Sequence, residues 1–382
     1  MLQSLALILL LGLITSKLLE KIKIPGLVGM IISGILISSF MDIKIINISS
    51  ELRQIALVVI LTRSGLSLNF KTLKNVGRPS IFLCFLPATF EMIACTIIAP
   101  CIFKISYLES ALLGSVLAAV SPAVVSPRMI KMIENRIGTK KGIPEMILAG
   151  ASVDDVYVIV FFSVFLSLLT KNTLTYIKFI QLPISIFLGI VFGVILGKIL
   201  MYIFKKIEMT NITKTIVLIS ISFLSLKLQD FLPVAVLLSI MVIGMYINAK
   251  DADMSKQLSS VYSNLWNVFE ILLFVLVGIS LKLEYIKTNA ILAIVLLMLI
   301  LIFRVLAVYI SVSKTKLIFK EKLFCMLSYI PKATVQAAIG GVPLAMGVKS
   351  GELILTISVI AILFTAPIGA FCIDNTQQWL EK

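Results

Sequence analysis

Ser121–Pro127 reads S-P-A-V-V-S-P, and Ile330–Pro343 reads I-P-K-A-T-V-Q-A-A-I-G-G-V-P. Each lies inside an apolar run long enough to cross a bilayer, which takes about 20 helical residues. An internal Pro removes a helix hydrogen bond and clashes with the preceding turn, so both runs are expected to be interrupted helices. Outward from them, the apolar residues fall into thirteen blocks, roughly Leu2–Leu18, Ile24–Phe40, Leu52–Leu68, Pro79–Phe103, Leu108–Ile133, Ile143–Leu169, Tyr176–Phe204, Ile212–Leu226, Leu232–Asn248, Tyr262–Leu281, Tyr285–Val312, Glu321–Met346 and Glu352–Ile373. The interrupted blocks are the fifth and the twelfth. Six spans, a connector and six more give halves of opposite orientation, in which the fifth block corresponds to the twelfth. The expected fold is an all-α polytopic membrane protein with thirteen transmembrane helices in inverted six-helix repeats, with a binding site near the midplane at the paired breaks.

Composition agrees. Of 382 residues, 59% are hydrophobic and 14% charged, and mean hydropathy is +1.10, too apolar for a soluble chain of this length. No loop is long enough for a soluble domain, so 1–382 reads as a single transmembrane domain. The first block lacks a positive leading segment and a cleavage site, and reads as a span rather than a signal peptide. The net charge of +15 sits in short loops, without interleaved aromatics, which excludes a nucleic-acid partner. With the N-terminus placed outside, the inner loops hold twenty-one of the 34 Lys and Arg, among them Lys71, Lys74, Arg78, Lys140 and Lys382. The outer loops hold eight, among them Lys44 and Lys171, and five lie in spans. Basic residues favour the cytoplasmic side, so the N-terminus is expected outside and the C-terminus in the cytoplasm. Cys84, Cys95, Cys101, Cys325 and Cys372 show no metal-ligand spacing and read as small apolar side chains. No cofactor is expected. His is absent, so a pH response must come from carboxylates, Lys or termini.

The sixth block carries A-S-V-D-D-V-Y-V-I-V-F-F, with Asp154 and Asp155 flanked by apolar residues. A carboxylate inside the membrane costs about 2.5–3.5 kcal/mol on insertion scales, and such residues mark ion pathways. Neighbouring helix positions are about 100° apart, so one Asp can face a cavity while the other reaches sideways. Crowded carboxylates resist double ionisation and titrate as a coupled pair. An entering cation relieves that penalty and releases protons, and a proton displaces the cation. Alternating exposure of such a site is antiport.

Further charges lie in spans. Glu91 and Arg304 fall in the corresponding fourth and eleventh blocks, and are expected to pair and hold the two halves together. Lys332, after the Pro of the twelfth block, either neutralises half-helix carbonyls or competes with the cation for the Asp pair. Arg53, Arg63 and Lys198 are read as snorkelling from span ends. Glu270 is placed in the first turns of the tenth block. Ser121 and Ser126 flank the first break, as ligands or as caps of freed backbone groups.

Five stretches carry a family resemblance: L-R-Q-I-A-L-V-V-I-L-T-R-S-G-L-S-L (Leu52–Leu68), A-V-S-P-A-V-V (Ala119–Val125), G-A-S-V-D-D-V (Gly150–Val156), L-L-F-V-L-V-G (Leu272–Gly278) and P-K-A-T-V-Q-A-A-I-G (Pro331–Gly340). The chain resembles the monovalent cation:proton antiporter superfamily, and within it the sodium/proton antiporters of the NHA group, over nearly its whole length. The resemblance implies a homodimer in a plasma or inner membrane and two broken helices that cross beside the ion site. It implies a core domain (roughly 79–169 and 285–373) moving like an elevator against a dimerisation scaffold. By resemblance, Asp155 is the carboxylate that binds Na+ or Li+ in exchange for H+. Asp154 marks the electrogenic-type double Asp, and Glu91–Arg304 resembles a charge pair of the group. Ser121 stands where many relatives have Asp, and Arg304 where several electrogenic relatives have Lys, so no switching role transfers to Lys332.

Other classes fit less well. An intramembrane aspartyl protease needs its two Asp on separate helices, whereas these are adjacent, so an enzyme is not expected. A sodium-coupled symporter needs a cavity for an organic substrate, and the residues offer only small-ion chemistry. A cation channel and K+/H+ exchange remain alternatives, and proton release on cation addition separates antiport from a channel.

Overall fold

A computed structural model of the protein describes residues 2–40, 42, 45, 48–67, 77–170, 176–228 and 234–380. Lys44, Lys71, Lys74, Lys171 and Lys382 of the charge count, and the span limits Leu68 and Leu232, lie outside the described residues. The described residues are helical throughout, with short connections. In chain order the helices are α1 (Leu2–Lys21), α2 (Gly26–Ile37), α3 (Ser49–Ser67), α4 (Arg78–Leu83), α5 (Leu86–Phe103), α6 (Tyr107–Leu117), α7 (Pro122–Glu134), α8 (Ile143–Thr170), α9 (Tyr176–Lys206), α10 (Asn211–Leu228), α11 (Val236–Lys250), α12 (Ala252–Ile279), α13 (Leu283–Ser313), α14 (Phe319–Ser328), α15 (Thr334–Ile339), α16 (Val342–Ala345) and α17 (Gly351–Thr376). Eight helical stretches among them are long and apolar enough to cross a membrane, and Gly26–Phe40, Val236–Lys250 and Thr334–Ala345 are shorter apolar helices.

Both predicted interruptions are present. The fifth block is two helices, α6 and α7, separated by Ala118–Ser121. Pro122 does not kink a helix; it opens α7, where its missing N–H costs nothing. A capping box starts α6: Ser106 Oγ accepts from Glu109 N at 3.2 Å, and Glu109 Oε2 accepts from Ser106 N at 2.9 Å. In the twelfth block α14 ends at Ser328, and the chain is non-helical over Tyr329–Ala333, around Pro331. Helix α17 passes beside this second break. Its Thr365 Oγ1 accepts from Lys332 N at 3.0 Å, and a Cβ at Gly369 would collide with Pro331.

The chain divides into two compact units. The first comprises Met1–Ser50, Phe70–Val158 and Ile271–Lys382, and the second Glu51–Asn69 and Ile159–Glu270. In the second, α9 packs along α11 through small residues: a Cβ at Gly193 would come within 2.7 Å of Ser239 O. Ser239 Oγ also donates across to Gly189 O at 2.9 Å. In the first, an apolar cluster around Met129, Ile143, Ile147, Phe324 and Tyr329 ties α7 and α8 to α14. Glu321, buried at the start of α14, accepts from Ile318 N at 2.8 Å and pairs with Lys141 at 2.7 Å.

Three expected placements change. Helix α12 begins ten residues before Tyr262, because Asp251 caps it: Met254 N donates to Asp251 Oδ1 at 2.9 Å. Glu270 therefore lies deep in the helix, not in its first turns, and acts electrostatically on half-buried Arg63. Arg53 is buried rather than snorkelled. Lys198 is exposed.

Candidate functional site

The stretch Leu117–Ser121 leaves backbone groups without helical partners, as any helix end does. Groups of the second break, together with Arg304 of α13 and Asp154 of α8, satisfy them in sequence. Leu117 O accepts from Lys332 Nζ at 2.6 Å and from Gln336 Nε2 at 3.3 Å. Ala118 O accepts from Arg304 Nη1. Ala119 O accepts from Gln336 Nε2 at 2.9 Å. Val120 N donates to Asp154 Oδ2 at 2.8 Å, and Ser121 N donates to Pro331 O at 2.8 Å. The two breaks are thus joined backbone to backbone and through three side chains.

Arg304, fully buried on α13, organises the charges. Its Nε donates to Tyr329 O at 2.6 Å, Nη1 to Glu91 Oε2 at 2.7 Å and Nη2 to Asp154 Oδ2 at 3.2 Å. The guanidinium lies 5.6 Å from the Tyr329 ring centroid. Lys332 Nζ is 2.6 Å from Glu91 Oε1, an ion pair by distance. Glu91, Asp154, Arg304 and Lys332 are all 0% exposed. Ionised charges taken out of water are tolerated only when paired and hydrogen-bonded, and here two cations meet two carboxylates.

Asp155 is left over. It is 5% exposed, and its buried Oδ1 has no hydrogen-bond partner. One turn of α8 thus presents two carboxylates in different roles. Asp154 reaches sideways into the Arg304 network, while Asp155 feels Arg304 only through space and makes no hydrogen bond or ion pair with it. Asp154 Oδ1, Ser121 Oγ and Gln336 Oε1 are likewise buried oxygens without a hydrogen-bond partner. Ser121 makes no side-chain cap to α7, so the capping alternative fails for it. Ser126 lies within α7 rather than in the break.

The expected Glu91–Arg304 pair is present, and it extends to Asp154 and Lys332. Of the two alternatives for Lys332, the structure has it on a half-helix carbonyl, with Glu91 as counter-charge. Gln336 escaped notice in the sequence because a neutral amide in an apolar run gives no electrostatic signal. Its position one helical turn beyond Lys332 was the available clue.

Interrupted helices joined at a buried, charge-compensated centre with one spare carboxylate define a membrane carrier for small ions. A family model described as "Sodium/hydrogen exchanger, transmembrane" matches residues 5–376. The chain belongs to that family, within the cation:proton antiporter superfamily, and is therefore a cation/proton antiporter and not an enzyme. It is 30% identical over 371 residues to sodium/hydrogen exchanger 9B2 of Mus musculus, covering 92% of this chain and 67% of that protein. It is 31% identical over 391 residues to the Xenopus tropicalis 9B2 protein, covering 96% and 72%. Its fold matches the sodium proton antiporter MjNhaP1 of Methanocaldococcus jannaschii at pH 8, with a TM-score of 0.79 and 21% identity over 99% of this chain and 96% of that one.

Proposed function

We propose that this protein exchanges Na+ or Li+ for H+ at Asp155, presented alternately to the two sides of a plasma or inner membrane. The observation that carries this is the carboxylate left outside the charge balance. Ionised and alone, Asp155 carries an uncompensated buried charge that either a monovalent cation or a proton removes. The two ligands therefore exclude one another, which is the condition for exchange. Asp154 and Ser121 contribute oxygens from the sides of the site. Alternating access moves the core (79–169 and 285–373) like an elevator against the remaining helices. The chain acts as a homodimer of thirteen-span protomers in lipid, with the N-terminus outside and the C-terminus in the cytoplasm.

The double Asp supports electrogenic exchange, with two protons per cation. A second reading, electroneutral exchange, is favoured by the Arg304–Asp154 contact, because a guanidinium does not release its proton.

The test is reconstitution in liposomes with a trapped pH dye, adding Na+, Li+ or K+ to wild type and to Asp155→Asn. Cation-driven proton movement in wild type that vanishes in the variant supports the proposal. A response to K+ alone replaces it with K+/H+ exchange, and no proton movement in folded wild type sinks antiport.

A further inference from the structure

We propose that Gln336 is a positioning residue for the exchange site: its amide locks the Ala119–Val120 peptide so that the N–H of Val120 faces Asp154. This rests on the antiport reading given above.

The argument is one of peptide geometry. In a trans peptide the C=O and the following N–H point in opposite directions. The peptide joining Ala119 to Val120 is gripped on both sides. Gln336 Nε2 donates to its oxygen at 2.9 Å, and its N–H donates to Asp154 Oδ2 at 2.8 Å. Turning this peptide over would aim a carbonyl oxygen at the Asp154 carboxylate. Gln336 opposes that turn, because an amide NH2 can only donate and needs an acceptor at that place. Its second contact, to Leu117 O at 3.3 Å, uses the same nitrogen and fixes which end of the amide points at the break. Gln336 is 1% exposed, so no solvent competes for these bonds. Hydrogen bonds in series polarise one another, so donation to Ala119 O also strengthens the Val120 N–H as a donor.

The consequence reaches the ion site through Asp154. The groups facing Asp154 are Arg304, Lys332, Cys84, Tyr329 and the adjacent Asp155, and Glu91 shares Arg304 with it. Of these, Arg304 divides its donors among four partners. The Val120 N–H is the shorter of the two hydrogen bonds on Asp154 Oδ2. Losing it leaves the Asp154 carboxylate without the shorter of the contacts that fix its direction beside Asp155.

The experiment compares wild type, Gln336→Met and Gln336→Glu in the dye-loaded liposomes, recording exchange rate and apparent KM for Na+ across pH. Methionine keeps the volume and removes the donor. The expected result for Q336M is a raised apparent KM for Na+ with the maximal rate less affected, because the donor that orients Asp154 beside the site is no longer held in place. Glutamate donates to Ala119 O only while protonated, so Q336E should lose activity progressively as pH rises. If Q336M does not fold, Q336E alone carries the test. A KM unchanged in Q336M overturns the inference, as does a Q336E defect equal at every pH. No exchange by the wild type overturns the antiport reading, and this inference with it.

Discussion

Arg304 holds together what no other side chain type could. Its planar fork reaches Tyr329 O, Ala118 O, Glu91 and Asp154 from one fixed position. A lysine there supplies a point charge with three donors and could not span these partners at once. Removing the charge leaves Glu91 and Asp154 with Lys332 as the one remaining cation of the network. Truncating one partner of a buried ion network costs about 3–5 kcal/mol, mostly the penalty of the stranded charge. Arg304→Gln should therefore lower the thermal midpoint of purified protein in detergent by many degrees. Adding Glu91→Gln makes the network neutral again, with Asp154 against Lys332. The double variant E91Q/R304Q should unfold at a higher temperature than R304Q alone. A double variant as unstable as the sum of the single losses would show that contacts, and not charge balance, hold this core. The measurement is a pair of melting curves and needs no transport assay.

At the scale of the element, the two breaks work because neighbouring helices come unusually close. Gly150, one turn before Asp154 on α8, faces Tyr329 at the second break, and a Cβ there would strike the Tyr329 hydroxyl and come within 2.9 Å of Leu83 Cβ. Tyr329 in turn offers its carbonyl and its ring to Arg304. Gly150→Ala should push the ring, loosen that anchor and cost about 1–3 kcal/mol as overpacking. The Tyr329 hydroxyl is buried without a hydrogen-bond partner, so Tyr329→Phe alone should be neutral or stabilising. The double variant G150A/Y329F should recover most of the loss in melting temperature. If it does not, the clash is with Leu83 instead. The breaks themselves were legible in the sequence, because Pro in a long apolar run has few other meanings. So were the pairing of Glu91 with Arg304 and the separate directions of the two Asp side chains, since unpaired charges are rare in membranes and helix geometry separates neighbours. What joined them was not legible. That Arg304 also reaches Asp154, and that Lys332 sits on Leu117 O, depend on how far the unwound chain carries each group, a distance that sequence spacing does not encode. The misplacement of Glu270 had a local cause: α12 extends beyond its apolar stretch through a polar segment whose cap, Asp251, is a signal that hydropathy does not register.

At the scale of the whole molecule, the number of charges that change during a cycle decides whether exchange is driven by membrane potential. Glu91 and Asp154 against Arg304 and Lys332 form a neutral set. With that set unchanged, Asp155 is neutral when protonated and neutral again when a monovalent cation sits on it. The carrier then crosses the membrane without net charge in either loaded form, and one proton exchanges for one cation. Electrogenic exchange needs a second group to change its charge in the cycle. Arg304 cannot, which leaves Glu91, Asp154 or Lys332, and each would have to give up an ion pair when it does so. Two protons per cation would move one net charge per cycle, and 100 mV across the membrane would then contribute about 2.3 kcal/mol, enough to change the exchange ratio tens of fold. The electroneutral reading predicts that imposing such a potential with a potassium gradient and valinomycin leaves the initial rate of Na+-driven proton movement unchanged within about twofold, and the electrogenic reading predicts a rate that follows it. A rate that follows the potential would place the second proton on Glu91, Asp154 or Lys332. Lys332→Gln would then separate the possibilities: voltage dependence lost in that variant assigns the proton to Lys332, and voltage dependence retained assigns it to Glu91 or Asp154.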